Sequence, residues 1–255
     1  MNILLCGAIG QMGKEMIRLS RSRCGFSRIA LGVDLNSEIN DTGIPVLSSF
    51  DEITDASGID CIVDFSNHAI ARELVRFARG NKLPCVICTT GHTEDEIADI
   101  HSLASAVPVF FSANMSLGVA LLIELAKTAV LAMPGAEIEI IETHHSKKVD
   151  APSGTALKIA DALAAVRPNS SITVGRVGQG VRTPDEIGIH AVRMGNTVGV
   201  HEVIVGTPNQ TIALKHEAHS RALFAEGALV AAEFIVDRDA GLYGMKSLVS
   251  GEEET

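Results

Sequence analysis

Across 255 residues the chain is 46% hydrophobic and 20% charged, enough apolar content to bury one large domain or two smaller ones. Its 21 lysines and arginines stand against 31 acidic residues, for a formal charge of −10, and the longest basic run is the pair Lys147–Lys148. That balance excludes nucleic acid and an anionic membrane surface as partners, so an anionic ligand has to be small and met locally.

The N-terminal stretch MNILLCGAIGQMG has neither a basic leader nor a small-residue cleavage site, which argues against a signal peptide. The apolar segment 117–133 carries Glu124 and Lys127 and reads as a helix with a buried face, not a membrane span. A cytoplasmic location is expected. The 5 cysteines, an odd number scattered through apolar runs, are expected to be reduced thiols. Cys85 and Cys88 sit on one short strand, where residues three apart lie about 10 Å from each other. A disulfide tolerates roughly 7 Å, so both are expected to be small core hydrophobes.

Taken in chain order, strand-length apolar runs occupy 2–6, 28–34, 60–65, 84–88 and 107–111, with helical segments at 11–20, 68–79 and 94–105. Ser49-x-x-Glu52 and Thr93-x-x-Glu96 match the capping-box pattern and predict helix starts. Repeated strand–helix–strand units predict a doubly wound parallel sheet. From about Glu137 the texture changes to longer alternating strands, 137–144, 187–194, 198–206 and 211–218, separated by turns such as GNT and TPNQ. Alternation of that kind predicts a second, α+β domain with a mostly antiparallel sheet. A helix over 156–166 falls between these strands. The segment 221–236 and the tail AGLYGMKSLV return to helix-forming composition, suited to packing back on the first domain, and SGEEET reads as a solvated end.

The first chemical constellation is Gly7-Ala8-Ile9-Gly10-Gln11-Met12-Gly13, placed after a strand and opening a helix. Glycines there allow a tight turn and let backbone N–H groups approach a pyrophosphate at the positive end of the helix. Asp34, at the end of the second strand, stands where an acidic side chain accepts the adenosine ribose hydroxyls. In a sheet of this kind the loops after strands four and five border the nicotinamide half, offering Cys88, Thr89 and Thr90, and Ser112, Ala113, Asn114 and Met115.

The second constellation is ETHHSKKVDAPSGTA, residues 142–156, which concentrates positive charge ahead of a helix start. Ser153 or Thr155 can cap that helix, and the N–H groups of Gly154, Thr155 and Ala156 form a carboxylate site. His144 titrates near neutrality and can pass protons, while Lys148 supplies a cation and an acid. A receptor for a small acid whose reaction needs a proton is the reading these residues favour over a plain solvated loop. Zinc is not expected: adjacent histidines on extended chain face apart, and no companion ligand pair follows.

HHSKKVDAPSGTA resembles the signature of the 4-hydroxy-tetrahydrodipicolinate reductase (dihydrodipicolinate reductase) family of the diaminopimelate route to lysine, and the similarity runs through VDFS, TTG, SANMSLGV, IGIHAVRMGNTVGVHEV and GLYGM. The resemblance implies a Rossmann-like domain from 1–116 and 222–255, an inserted substrate-binding and oligomerisation domain from 117–221, and a homotetramer. It makes His144 and Lys148 the catalytic pair and gives His145, Ser153, Gly154 and Thr155 to a small dicarboxylate substrate. Gly7, Ala8, Ile9, Gly10, Gln11, Met12, Asp34, Cys88, Thr89, Thr90, Ser112, Ala113, Asn114 and Met115 would line NADH or NADPH. Several positions depart from the family pattern: Ile9, Gln11, Cys88 and Met115, and Leu35 where many members carry a basic residue. Leu35 and Gln11 hold the positions that could neutralise a 2′-phosphate beside Asp34, so NADH is expected to be preferred unless Lys14, Arg18 or Arg28 reaches the phosphate from the flanking helix and strand. Two other readings remain, a different two-domain nicotinamide oxidoreductase and a nucleotide sensor without activity, since a fold alone does not give function.

Overall fold

The computed structural model describes residues 1–22 and 27–251. Strand β1 (Asn2–Cys6) enters the glycine loop and α1 (Gln11–Ser22), followed by β2 (Arg28–Val33), β3 (Val46–Leu47) and β4 (Cys61–Asp64). Next come α2 (Ala71–Asn81), β5 (Cys85–Ile87), α3 (Glu94–Leu103), β6 (Pro108–Phe111) and α4 (Leu117–Ala132). The alternating stretch supplies β7 (Glu137–His144), α5 (Gly154–Val166), β8 (Ser171–Val174), β9 (Glu186–Arg193), β10 (Gly199–Thr207) and β11 (Gln210–Ala218). The chain closes with α6 (Ala222–Ile235), β12 (Gly241–Tyr243) and α7 (Met245–Ser250). It divides into two compact units, Met1–Leu117 with Ala222–Thr255, and Gly118–Arg221.

In the first unit, seven parallel strands stand in the order β12-β6-β5-β4-β1-β2-β3. The central strands are apolar on both faces because helices cover both: Ile3, Leu4, Leu5, Ile62, Val63 and Val86 have no exposed surface. Strand order reverses direction between β1 and β4, which places the ligand crevice of such a sheet at the carboxyl ends of these two strands. Helix α6 lies against α1 and the sheet with Ala225, Ala228, Leu229, Ala231, Ala232 and Ile235 fully buried. Gly227 allows that contact: a Cβ there would sit 1.8 Å from the Met115 carbonyl oxygen.

Local chemistry decides the helix starts. Thr93 and Glu96 form a complete capping box, Thr93 N donating to Glu96 Oε2 at 2.8 Å and Glu96 N to Thr93 Oγ1 at 3.3 Å. The Ser49 pattern does not: Phe50–Glu52 is a single 3-10 turn without a side-chain cap, and Glu52 accepts instead from the Ser48 hydroxyl. The tail also differs from the helical expectation, since Gly241–Tyr243 pairs with β6 as a seventh strand before a short helix. Of the SGEEET end, residues 252–255 lie outside the described residues, as does Cys24. The other cysteines, 6, 61, 85 and 88, are free and buried, and burial pushes each thiol upward.

The second unit is built on a five-stranded sheet in the order β11-β10-β7-β9-β8. Its longest ladder, β10 with β11, is antiparallel, as is β10 with β7, while β9 runs parallel to β7 and β8 parallel to β9. One face packs Ile138, Ile140, Ile187, Ile189, Val203 and Val205 against α4 and α5 through Leu122, Ala126, Ile159 and Leu163. The face is hydrophobic along most of β7 and then turns polar, ending in buried Glu142 and His144. Among the described residues no helix is long and apolar enough to cross a membrane.

Candidate active site

The glycine loop forms a close-packed cradle in the first unit. Gly7 adopts φ +77°, and a Cβ there would lie 2.5 Å from the Phe65 carbonyl oxygen; at Gly13 it would lie 2.2 Å from the Gly7 carbonyl oxygen. Only glycine fits either position. Gly10 is exposed and meets nothing beyond the loop itself, so bare backbone faces outward just ahead of Gln11 and Met12 in the first turn of α1. First-turn N–H groups have no helical acceptor, and a cradle of this shape fits a pyrophosphate.

Asp34 is tied into the same loop, its Oδ2 accepting from Ile9 N at 3.0 Å and its Oδ1 from Asn36 N at 3.0 Å. Leu35 beside it is 82% exposed. Across the crevice, Asp64 ends β4 almost fully buried and accepts from Ser66 N at 3.0 Å. Burial pushes the Asp64 carboxyl upward, against opposing hydrogen bonds from the Ser66 hydroxyl and backbone N–H. Thr89 and Cys88 are buried and Thr90 is exposed, so at Cys88 the side chain is packed away. In the next loop Ser112 Oγ donates to the Asn114 carbonyl at 2.9 Å, Asn114 Oδ1 accepts from Ser116 N at 2.9 Å, Ala113 is exposed and Met115 is buried. The residues proposed from sequence for the cofactor therefore fall at the carboxyl ends of parallel strands of one sheet, on the loops there and, for Gln11 and Met12, in the first turn of α1.

In the second unit a buried carboxylate organises the His/Lys segment. Glu142 has no exposed surface, yet its Oε2 accepts from His144 Nδ1 at 2.6 Å and its Oε1 from Ser153 N at 2.9 Å. Arg193 forks onto both oxygens, at 2.9 Å and 2.7 Å. Burial alone would raise the Glu142 carboxyl, but hydrogen bonds from Arg193, His144 and the Ser153 N–H outweigh it and hold the group below the usual range. Ser153 caps α5, its Oγ accepting from Ala156 N at 3.2 Å, so that N–H serves the cap and not an incoming ligand. The three-donor carboxylate site expected from sequence is thereby reduced to Gly154 and Thr155. A Cβ at Gly154 would meet nothing within 4 Å.

Lys148 lies 2.7 Å from Asp150, its side chain only 22% exposed, whereas Lys147 is exposed. The Lys148 hydrogen bond holds the Asp150 carboxyl low, with the Gly154 backbone N–H adding to the effect. A carboxylate of the chain itself thus rests on Lys148, expected from sequence to be catalytic, and on Gly154, expected to hold the substrate. His145 donates its backbone N–H to the Thr197 carbonyl at 2.8 Å, and its Nδ1 is buried without a hydrogen-bond partner among the described residues. His201 packs edge-on to His144 with ring centroids 5.3 Å apart, and its Nε2 lies 3.3 Å from Ser153 Oγ. Burial, then the neighbouring His144, pushes the His201 pKa down to about 4. Among the described residues no group of three or more His, Cys, Asp or Glu side chains is placed to hold a metal ion.

Glu142, Arg193, His201 and Asp64 were not singled out from sequence. Glu142 carries a readable signal, since it stands two residues before His144 on an alternating strand and must share its face. Arg193 carries none, because its approach depends on β9 pairing beside β7 with His144 opposite Arg193.

A parallel sheet with a glycine-loop helix start and an acidic residue closing the second strand defines the first unit as a dinucleotide-binding fold of the Rossmann-like class, and the second unit carries a separate polar cluster around the buried Glu142 carboxylate. The N-terminal family model of dihydrodipicolinate reductase matches residues 1–115 and the C-terminal model residues 118–249, the latter running on into α6, β12 and α7 of the first unit. The chain belongs to the dihydrodipicolinate reductase family. It is 44% identical over 249 residues to the 4-hydroxy-tetrahydrodipicolinate reductase of Caldanaerobacter subterraneus subsp. tengcongensis, covering 97% of each chain. To the enzyme of the same name from Alkaliphilus oremlandii it is 38% identical over 252 residues, covering 98% of this chain and 99% of that one. In fold it is similar to a dipicolinate-bound dihydrodipicolinate reductase from Paenisporosarcina sp. TG-14, with a TM-score of 0.81 at 24% identity, covering 95% of this chain and 97% of the other.

Proposed function

We propose that this protein reduces 4-hydroxy-tetrahydrodipicolinate to tetrahydrodipicolinate in the diaminopimelate route to lysine, in the cytoplasm, with residues 1–116 and 222–255 binding the cofactor and 117–221 the substrate. The observation that carries the reading is the resident carboxylate: Asp150 rests on Lys148, the proposed proton donor, and on the Gly154 N–H at the start of α5, so the segment already receives a carboxylate beside an ammonium. NADH, or less favourably NADPH, supplies hydride when bound, and the loops holding Gly7 to Met12, Asp34, Cys88 to Thr90 and Ser112 to Met115 bind it.

The substrate's carboxylate takes the place of Asp150 at the Gly154 N–H and meets Thr155 beside it, while His145, with its unpartnered buried nitrogen, takes part in holding the ligand. Loss of the substrate hydroxyl as water leaves a conjugated imine. Hydride addition to it produces an enamine, which takes a proton at the neighbouring carbon. Lys148 as an ammonium is the donor, and His144 passes protons between it and solvent. Half-exposed Ile141, Val192, Val200 and Ile204 share the sheet face opposite the helices, which supports assembly through the second unit into a homotetramer.

The test is direct: mix the protein with enzymatically generated 4-hydroxy-tetrahydrodipicolinate and NADH, and follow loss of cofactor absorbance. Turnover that depends on both compounds is expected. Cofactor binding without turnover would instead favour the sensor reading.

A further inference from the structure

We propose that Glu142 is a positioning residue for this reaction, a single buried carboxylate that fixes the tautomer of His144 and keeps its ring in register with the start of α5. The inference rests on the proton-handling role proposed for His144. Glu142 makes four hydrogen bonds to three separate pieces of chain: His144 on its own strand, Ser153 ahead of α5, and both terminal nitrogens of Arg193 at the end of β9. An ionised carboxylate is acceptor-only, and at 2.6 Å from Oε2 the His144 Nδ1 must carry the hydrogen. The neutral ring therefore keeps its lone pair on Nε2, and Nε2 is the atom that takes up and releases a proton.

The surroundings agree with that assignment. A Cβ at position 199 would lie 3.1 Å from His144 Nε2, so Gly199 leaves that edge of the ring uncrowded. His201, packed against the ring, stays neutral at physiological pH and adds no competing charge. Arg193 gives Glu142 a geometric role as well as a charge: its fork, backed by a third hydrogen bond to the Asp150 carbonyl at 2.6 Å, holds the carboxylate in one orientation. Since the other oxygen of the same carboxylate holds Ser153 N, the catalytic ring and the capped helix start are separated by one carboxyl group.

Glu142→Gln tests the assignment. Glutamine can still accept from Ser153 and Arg193, but it presents an NH2 to Nδ1 and so favours the tautomer with hydrogen on Nε2. Expected are a fall in kcat of about 10²-fold or more, the scale of losing a positioned general acid–base, and a Kd for pyridine-2,6-dicarboxylate within about threefold of wild type, well under 1.4 kcal/mol. In nitrogen-15 spectra of histidine-labelled full-length protein, assigned with His144→Asn, His144 should change from the Nδ1–H to the Nε2–H form. An unchanged kcat in folded Glu142→Gln, with turnover lost in His144→Ala, would overturn the role of Glu142 and leave the reductase reading intact. Full turnover in His144→Ala would instead overturn the reading of His144. A fall in kcat with the tautomer unchanged would reduce Glu142 to a structural part and refute the proposal. Should Glu142→Gln not fold, the wild-type spectrum still decides, because a neutral His144 carrying its hydrogen on Nε2 is incompatible with it.

Discussion

Replacing Leu35 with arginine is expected to shift cofactor use toward NADPH, because the wild-type site holds a carboxylate where a 2′-phosphate would fall and, among the described residues, the nearby bases are engaged elsewhere. Asp34 is held in place by Ile9 N and Asn36 N, both at 3.0 Å. The nearby bases have other positions: Lys14 is 2.8 Å from Asp41, and Arg18 Nε donates to Glu15 at 3.0 Å. Arg28 opens β2 at the opposite end of the strand from Asp34, on the order of 20 Å away at about 3.3 Å per residue. Two unit charges 4 Å apart repel by about 1 kcal/mol in water and about 4 kcal/mol at an effective dielectric near 20. Exposure at Leu35 puts the site toward the lower figure, and about 1 kcal/mol is roughly fivefold in affinity. NADH is therefore expected to exceed NADPH in kcat/KM by about fivefold or more at low ionic strength.

Leu35 is 82% exposed, so its replacement removes no core packing and leaves stability within about 0.5 kcal/mol. A guanidinium–phosphate hydrogen bond contributes about 1.5–3 kcal/mol. Leu35→Arg should then improve NADPH use by roughly tenfold or more, decreasing with salt, while NADH use changes little. Steady-state kinetics with both cofactors are the assay. A wild-type enzyme that uses both equally or prefers NADPH would refute the argument, as would a variant that improves both alike. Loss of NADPH activity alone in Lys14→Gln would show that this lysine leaves Asp41 for the phosphate.

Lys148→Ala should lower turnover by about 10²-fold or more with cofactor binding retained, and Lys147→Ala, which changes an exposed side chain, should be mild; near-normal turnover in the first removes Lys148 from the mechanism. Gly154→Val should fold, because a Cβ there meets open space, yet raise the substrate KM and weaken inhibition by pyridine-2,6-dicarboxylate; an unchanged inhibition constant would put the dicarboxylate elsewhere. His201 has a folded pKa near 4 against 6.5 unperturbed, so between these values the unfolded chain binds the proton more readily and stability falls as pH drops. The full loss is about 3 kcal/mol, and urea unfolding at about pH 7 and about pH 4.5 should show a smaller decline in His201→Asn than in wild type; equal declines would contradict neutral burial of this ring.

What the sequence determined by itself was everything local. The glycine loop, the Thr93–Glu96 capping box, the Ser153 cap and the alternation of Glu137–His144 each depend on residues within a few positions of one another, and each is read directly from spacing. The Ser49 pattern shows the limit of that reading: its spacing matches a capping box, but only one 3-10 turn follows. Tertiary structure decided the rest. Strands of two to four residues, β3, β8 and β12, are too short for a periodic signal and exist because a neighbouring strand offers unpaired backbone. Strand order was also beyond reach, and it alone puts β9 parallel to β7. Through that pairing Arg193, 51 positions from Glu142 in the chain, reaches its carboxylate, and β10 brings His201 within reach of Ser153, 48 positions away. The charge of the His/Lys segment is visible in its composition, but the groups that orient it come from other strands, because hydrogen bonds act over about 3 Å of space irrespective of distance along the chain.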